Sequence, residues 1–304
     1  MIPPPFLHFL TNDRGGGIRC IDLINPSGAA IKTAKKEVRE FPARLPEDAS
    51  SGLGSVAVRA ALSGRNRMST YVLIHGAWHG SWCWDKVAPL LEAKDHKAIA
   101  PDLPGHGADK TPISEITLDS YAARVCEVLD AQPEPVILVG HSMGGGVITQ
   151  TAEHRPGRIK TLVYLCGFLP RNGESIRSLA RQDPDSVSGR NRVIDEDGGF
   201  STVKEEALRE AFYADCPDED VERATSLRVP EALAPSQTPV KTTEGNFGRV
   251  PRIYIQCLRD RSISPALQKR MYEALPCEKV LDLETGHSPF LSAPEALAAH
   301  LTSI

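Results

Sequence analysis

From Met68 onward the chain alternates short apolar runs with stretches of helical period, and this alternation most narrows its possible folds. Tyr71-Val72-Leu73-Ile74 is a four-residue apolar run ending in His75-Gly76, the form of a strand buried on both faces. Trp82, Val87, Leu90 and Leu91 follow at near-helical spacing, and residues 97–100 supply a second short strand. Residues 118–132 read as a helix, with Tyr121, Val125, Val128 and Leu129 on one face. Strand 136–139, helix 144–154 and strand 161–165 continue the series. The pattern then lapses over 169–250, a polar tract with Pro and Gly breaks and amphipathic pieces such as 203–214. It resumes with strand 252–257, helix 265–275, strand 279–283 and helix 294–301. Such a chain forms an α/β domain, a mostly parallel sheet with helices on both faces. The tract 169–250 is expected to be a lid over the sheet's carboxyl edge, where ligands of open α/β sheets bind.

Residues 1–67 differ from the rest. Ten Lys/Arg against six Asp/Glu give them a net +4, which leaves −8 on residues 68–304 of a chain whose total is −4. With Pro3-Pro4-Pro5 and Gly15-Gly16-Gly17 and little sustained apolar period, they are expected to be a poorly ordered extension, or upstream sequence ahead of a natural start at Met68, with a docked structural arm as the alternative. The apolar stretch 6–10 is too short for a secretory signal. No run approaches 18 apolar residues, and the net charge offers no general attraction to nucleic acid or anionic lipid. Seven cysteines without a C-x-x-C pair point to free thiols in a reducing compartment, hence the cytoplasm.

The chemistry centres on Ser142. Gly140-His141-Ser142-Met143-Gly144 matches G-x-S-x-G and sits directly between an apolar strand and a helix. A sharp elbow there would hold the hydroxyl above the sheet edge, and the flanking glycines leave room for it. The plainer alternative is a glycine-rich helix start with a capping serine. A serine needs a base, and His287, in Thr285-Gly286-His287-Ser288 before the last helix, stands where such a base is expected. His75 and His141 read as structural, His106 as a turn residue, and His154 and His300 as helix histidines. The carboxylate that would orient the base is Asp260, just after strand 252–257; Asp282 and Asp109 are weaker choices, and a turn aspartate paired with Arg259 or Arg261 is the alternative role for Asp260. The backbone N–H groups of Met143 and Ala77 are the expected donors to an oxyanion. His75 and His79 are four apart but in a Gly-rich loop, so no metal site is expected.

Four segments carry a family resemblance: Val72 through Trp84, Ala100-Pro101-Asp102-Leu103-Pro104-Gly105-His106-Gly107, Val139 through Gly145, and Gly286-His287-Ser288. In these, residues 70–304 resemble the α/β-hydrolase superfamily. Within it they resemble the branch that holds plant methylester esterases, hydroxynitrile lyases and bacterial pyrethroid-type carboxylesterases. The tract Phe212-Tyr213-Ala214-Asp215-Cys216 is similar to that branch as well. The resemblance implies a cofactor-free carboxylesterase that forms an acyl-enzyme. The lyases of the branch carry threonine where this chain has Gly76, and a lysine where it has Ser288. Hydroxynitrile-lyase-like chemistry, or a ligand-binding member that keeps the triad without turnover, is the alternative.

Trp78, Phe168, Leu169, Phe212 and Ile263 flank the lid or the acid loop and are expected to line an apolar pocket, with Gly76 and Ser288 beside it. That favours small to medium hydrophobic esters over charged ones. The expected partner is such an ester, with no nucleic acid and no membrane, and the expected assembly is a homodimer.

Overall fold

A computed structural model describes residues 68–304. The expectations for residues 1–67, an extension with Met68 as the natural start, lie outside the described residues. Among the described residues nine strands occur in chain order: β1 (Thr70–Ile74), β2 (Lys97–Ile99), β3 (Val136–His141), β4 (Ile159–Leu165), β5 (Arg192–Asp195), β6 (Phe200–Val203), β7 (Glu231–Ala232), β8 (Arg252–Cys257) and β9 (Lys279–Leu283). Six of them form one sheet in the order β2-β1-β3-β4-β8-β9, and every pairing in it is parallel. Leu138 at its centre stands opposite Val72 on one side and Leu162 on the other.

Strand alternation sends neighbouring side chains to opposite faces, so each apolar run feeds two cores. Val72, Ile74, Leu138, Leu162 and Tyr164 pack on one face with the helices Leu118–Asp130, Gly144–His154 and Pro265–Ala274. Tyr71, Leu73, Ile137, Val139, Val163 and Leu165 pack on the other with Val87–Glu92 and Pro294–Thr302. Burial of each such Val, Leu or Ile contributes about 1.5–3 kcal/mol. The helix after residue 117 begins where it does because Thr117 and Ser120 form a capping box. None of the described helices is long and apolar enough to cross a membrane.

Between β4 and β8 the chain leaves the sheet, and the insertion contains a small sheet of its own, antiparallel in the order β5-β6-β7. The amphipathic piece expected over 203–214 is divided. Val203 ends β6, Glu205–Ala207 is a 3-10 turn, and the helix is only Leu208–Phe212. The β5–β6 connection passes through Gly198-Gly199, with Gly199 at φ +69°, so the hairpin signal lay in the glycines rather than in the short polar strands.

The sheet's strand order reverses between β1 and β3, since β2 lies outside β1 while β4, β8 and β9 lie beyond β3. A crevice opens at the carboxyl ends of such a pair. Ala77 follows β1 by three residues, Ser142 follows β3 directly, Asp260 follows β8 by three and His287 follows β9 by four.

Candidate active site

Ser142 adopts φ +53°, the left-handed region, at the junction of β3 and the helix Gly144–His154. The turn is held by backbone bonds: Ser142 N–H donates to Leu165 O at 3.2 Å, and Ser142 O accepts from Phe168 N–H at 2.9 Å and Gly145 N–H at 3.0 Å. A Cβ at Gly140 would lie 2.5 Å from Gly144 O, and one at Gly145 would lie 2.3 Å from Phe168 O. Strand, turn and helix therefore approach more closely than any side chain allows.

Asp260 and His287 come together on the loops after β8 and β9. His287 Nδ1 donates to Asp260 Oδ2 at 2.7 Å, and both groups are buried. The other carboxylate oxygen, Oδ1, accepts from the N–H groups of Ser262 (2.7 Å) and Ile263 (2.9 Å). Gln268, wholly buried in the helix Pro265–Ala274, completes the setting. Its Nε2 donates to Ile263 O at 2.7 Å and to Asp260 Oδ2 at 3.3 Å, and its Oε1 accepts from Cys257 N–H at 3.1 Å. With Nδ1 committed as donor, the neutral His287 ring carries its lone pair on Nε2. No hydrogen bond joins Nε2 to Ser142 Oγ among the described residues.

The other histidines of this region are fixed by their partners. His75 donates from Nδ1 to Gly76 O (2.9 Å) and accepts Leu103 N–H on Nε2 (3.1 Å). His79 donates from Nδ1 to Ala77 O (2.7 Å) and accepts the Tyr213 hydroxyl on Nε2 (2.8 Å). Both rings are neutral and buried. Burial, and for His75 the neighbouring His106, lower each to a pKa of about 3. His141 donates from Nε2 to His287 O at 2.8 Å, and burial followed by the nearby His287 holds it well below the usual imidazole range. His106 is different. Its two nitrogens face two acceptors, Pro104 O at 3.1 Å and Glu231 Oε2 at 2.9 Å, which only an imidazolium satisfies. Burial opposes the charge, but the Glu231 carboxylate outweighs it and the pKa is raised. His106 is thus half of a buried ion pair, not merely a turn residue.

A cavity of about 630 Å³, including its open mouth, lies over Ser142. The sheet-edge wall is Ala77, Trp78, Ser142, Met143, Phe168, Ser262, Ile263 and Leu267; the lid wall includes Ile176, Ala180, Arg177, Asp183, Arg192 and Glu231. The N–H groups of Ala77 and Met143 have no protein acceptor among the described residues. Of the expected pocket residues, Trp78, Phe168 and Ile263 are on this wall, and four are not. Gly76 is spent on packing: a Cβ there would lie 2.9 Å from both His141 Nδ1 and Ser142 Cβ. Leu169 lies in the core away from this wall, its N–H on Met271 Sδ at 3.4 Å. Phe212 stands behind the wall, its ring 5.7 Å from Trp78 and 5.8 Å from His287. Ser288 is fully buried at the start of the helix Pro289–Ser292, and its hydroxyl has no partner.

Sequence reasoning did not single out Gln268, Glu231, Arg177 or Arg192. The first carried a signal, a glutamine on the inward face of an amphipathic helix. The other three lie in a tract whose polarity reads as solvent exposure. Among the described residues His141, Cys166 and His287 present possible metal-ligand atoms within 4.8 Å of one another. Cys166 Sγ is already directed at His287 O at 3.6 Å, and His141 Nε2 meets the same oxygen at 2.8 Å.

The family model described as the alpha/beta hydrolase family matches residues 71–300. Methylesterase 9 of Arabidopsis thaliana is 32% identical over 252 residues, covering 78% of this chain and 98% of that protein. The alpha-hydroxynitrile lyase of Arabidopsis thaliana is 32% identical over 260 residues, covering 78% and 97%. The crystal structure of a pyrethroid hydrolase from Sphingobium faniae JZ-2 superposes with a TM-score of 0.69 at 29% identity, covering 78% of this chain and 96% of that one. The chain belongs to the alpha/beta hydrolase family, in the branch that contains plant methylesterases and bacterial pyrethroid hydrolases.

Proposed function

We propose that the protein is a serine carboxylesterase acting on small to medium hydrophobic esters. The observation that carries this reading is the buried 2.7 Å bond from His287 Nδ1 to Asp260, which leaves Nε2 free to act as a base, on a loop at the same sheet edge as an elbow serine that lines a cavity. Relatives named as methylesterases and pyrethroid hydrolase support ester hydrolysis.

In this mechanism Ser142 Oγ attacks the ester carbonyl carbon as its proton passes to His287 Nε2. Asp260 keeps the ring in the Nδ1–H tautomer and offsets the charge it acquires. The oxyanion accepts from Ala77 and Met143 N–H, two donors without protein acceptors. His287 then protonates the departing alcohol, and water activated by the same ring cleaves the acyl-enzyme. The Ser142–His287 contact closes in the substrate complex; such bonds are often long in unliganded sites. Free thiols at all six described cysteines support a cytoplasmic setting.

Cyanohydrin cleavage finds less support. The chain has Gly76 and Ser288 where the resembling lyases carry threonine and lysine, and a threonine at Gly76 would press on His141 and Ser142. The test is hydrolysis of p-nitrophenyl butyrate by wild type and Ser142→Ala prepared alike. The expected result is a fall in kcat of at least about 10³-fold. Near-wild-type turnover in a clean Ser142→Ala preparation would remove Ser142 as nucleophile. No turnover by folded wild type would favour a lyase or a ligand-binding protein.

A further inference from the structure

We propose that Arg192, seconded by Arg177, binds a carboxylate on the far end of the substrate, so that the preferred ester carries an apolar arm ending in an acid group. Which bond is broken rests on the hydrolase reading above; the anion site itself does not.

Arg192 opens the edge strand β5 of the lid sheet and lines the same cavity as Ser142. Its guanidinium lies over the Trp78 ring, with Cζ 5.9 Å from the centroid, and Trp78 is itself held by an Nε1–H bond to Ser201 O at 2.9 Å. The cation is therefore attached to a fixed platform on the cavity wall. It is also unsatisfied. Among the described residues Arg192 forms no ion pair and no side-chain hydrogen bond, and its Nε is buried without a partner. Arg177, on the same wall, has no ion pair either.

Two carboxylates share this wall, but both are engaged elsewhere. Glu231 Oε1 accepts from the Tyr121 hydroxyl at 2.9 Å, and Oε2 accepts from His106 at 2.9 Å and from Trp78 N–H at 3.2 Å. Its charge is matched by the His106 imidazolium. Asp183 accepts Ser264 N–H at 2.8 Å. Among the groups that line the cavity, Asp183 set against Arg177 and Arg192 leaves one positive charge in excess, with Glu196 acting on Arg192 from outside the lining. A monoanion with two parallel acceptor oxygens fits a guanidinium fork, and a carboxylate is that group. Apart from the charged groups and the hydroxyls of Ser186, Ser188, Ser236 and Ser262, the cavity lining is apolar, with Trp78, Phe168, Ile176, Ala180 and Ile263, which suits a hydrocarbon spacer.

The test compares p-nitrophenyl half-esters of the straight-chain C4 to C8 dicarboxylic acids with neutral p-nitrophenyl alkanoates of equal length. The readout is the ratio of kcat/KM, anionic over neutral. At one or more lengths the wild-type ratio should reach about tenfold, the worth of one charge-assisted hydrogen bond. It should fall to about one in Arg192→Met and stay intermediate in Arg192→Lys, which keeps the charge without the fork. A wild-type ratio below one at every length overturns the proposal without any variant, and so does a high ratio that Arg192→Met leaves intact. If wild type hydrolyses neither series, the hydrolase reading fails, and the anion site is judged by calorimetric binding of monomethyl against dimethyl dicarboxylates. Tighter binding of the half-ester, abolished in Arg192→Met, then sustains the site; equal binding overturns it.

Discussion

Ser142 holds a backbone conformation that an L-residue adopts only at a cost of about 1–3 kcal/mol. The cost is carried by the turn's hydrogen bonds and by the glycines around it, because Gly140 and Gly145 admit no Cβ. Strain and the proposed chemistry therefore occupy one residue, and two variants that both remove the hydroxyl separate them. Ser142→Ala loses the proposed nucleophile and keeps the strained φ. Ser142→Gly loses the hydroxyl too and relieves the strain, so its melting temperature should exceed that of Ser142→Ala by about 2–4 °C, equivalent to roughly 1 kcal/mol in a domain of this size. Equal melting temperatures in a calorimetric comparison would mean that the elbow is not strained. The signal for this residue was local, a five-residue motif between a strand and a helix. The partners of His106 could not be found in that way: Glu231 is 125 residues distant, and nothing in Pro104-Gly105-His106-Gly107 specifies it.

At the scale of elements, the insertion between β4 and β8 is hydrogen-bonded to the loops after β1 and β9, which carry proposed catalytic groups. Asp215, after the helix Leu208–Phe212, accepts Gly286 N–H on Oδ2 at 2.7 Å, one residue before His287. Glu231 on β7 accepts Trp78 N–H, one residue after Ala77. The lid thus holds both the loop of the proposed base and the loop of a proposed oxyanion donor. Asp215→Ala leaves a partly buried N–H unpaired, at a cost of about 1–3 kcal/mol. In the hydrolase reading kcat should fall about tenfold or more with little change in KM, and Asp215→Asn, which keeps an acceptor oxygen, should recover most of that loss. A KM effect with kcat unchanged would show that Asp215 shapes the cavity and leaves His287 alone. The sheet elements were legible because Tyr71–Ile74 and Val136–Val139 are short apolar runs whose burial on both faces admits few other readings. The lid sheet was not. Its strands have four, four and two residues, and Val193 and Ile194 are exposed, so no alternation marks a buried face.

Over the whole molecule, the sequence constrained where the reacting groups would gather, because one parallel sheet sends the ends of β1, β3, β8 and β9 to a common edge. It did not reveal the ionisation that packing imposes there. His75, His79 and His141 are buried neutral, the first two with a pKa of about 3 and the third well below the ordinary value. In the unfolded chain each would titrate near 6.5. Between pH 6.5 and about 3 the unfolded state therefore binds protons that the folded state refuses, and stability falls as the pH falls. His106 has the opposite sign. Its raised pKa gives a contribution fully present below 6.5 and lost as the pH rises through the raised value, so it adds no acid loss of its own. From pH 6 to pH 5, above the range of ordinary carboxylates, three histidines at up to about 1.4 kcal/mol each predict a loss of roughly 3–4 kcal/mol. Against a typical stability of about 5–15 kcal/mol, that is a substantial share of the total. Urea titrations should give a linkage of nearly three protons between pH 6 and pH 5 and about half that between pH 7 and pH 6, and His79→Gln should reduce the first by about one. A linkage below one proton would mean that these rings gain solvent or charge compensation in the folded protein.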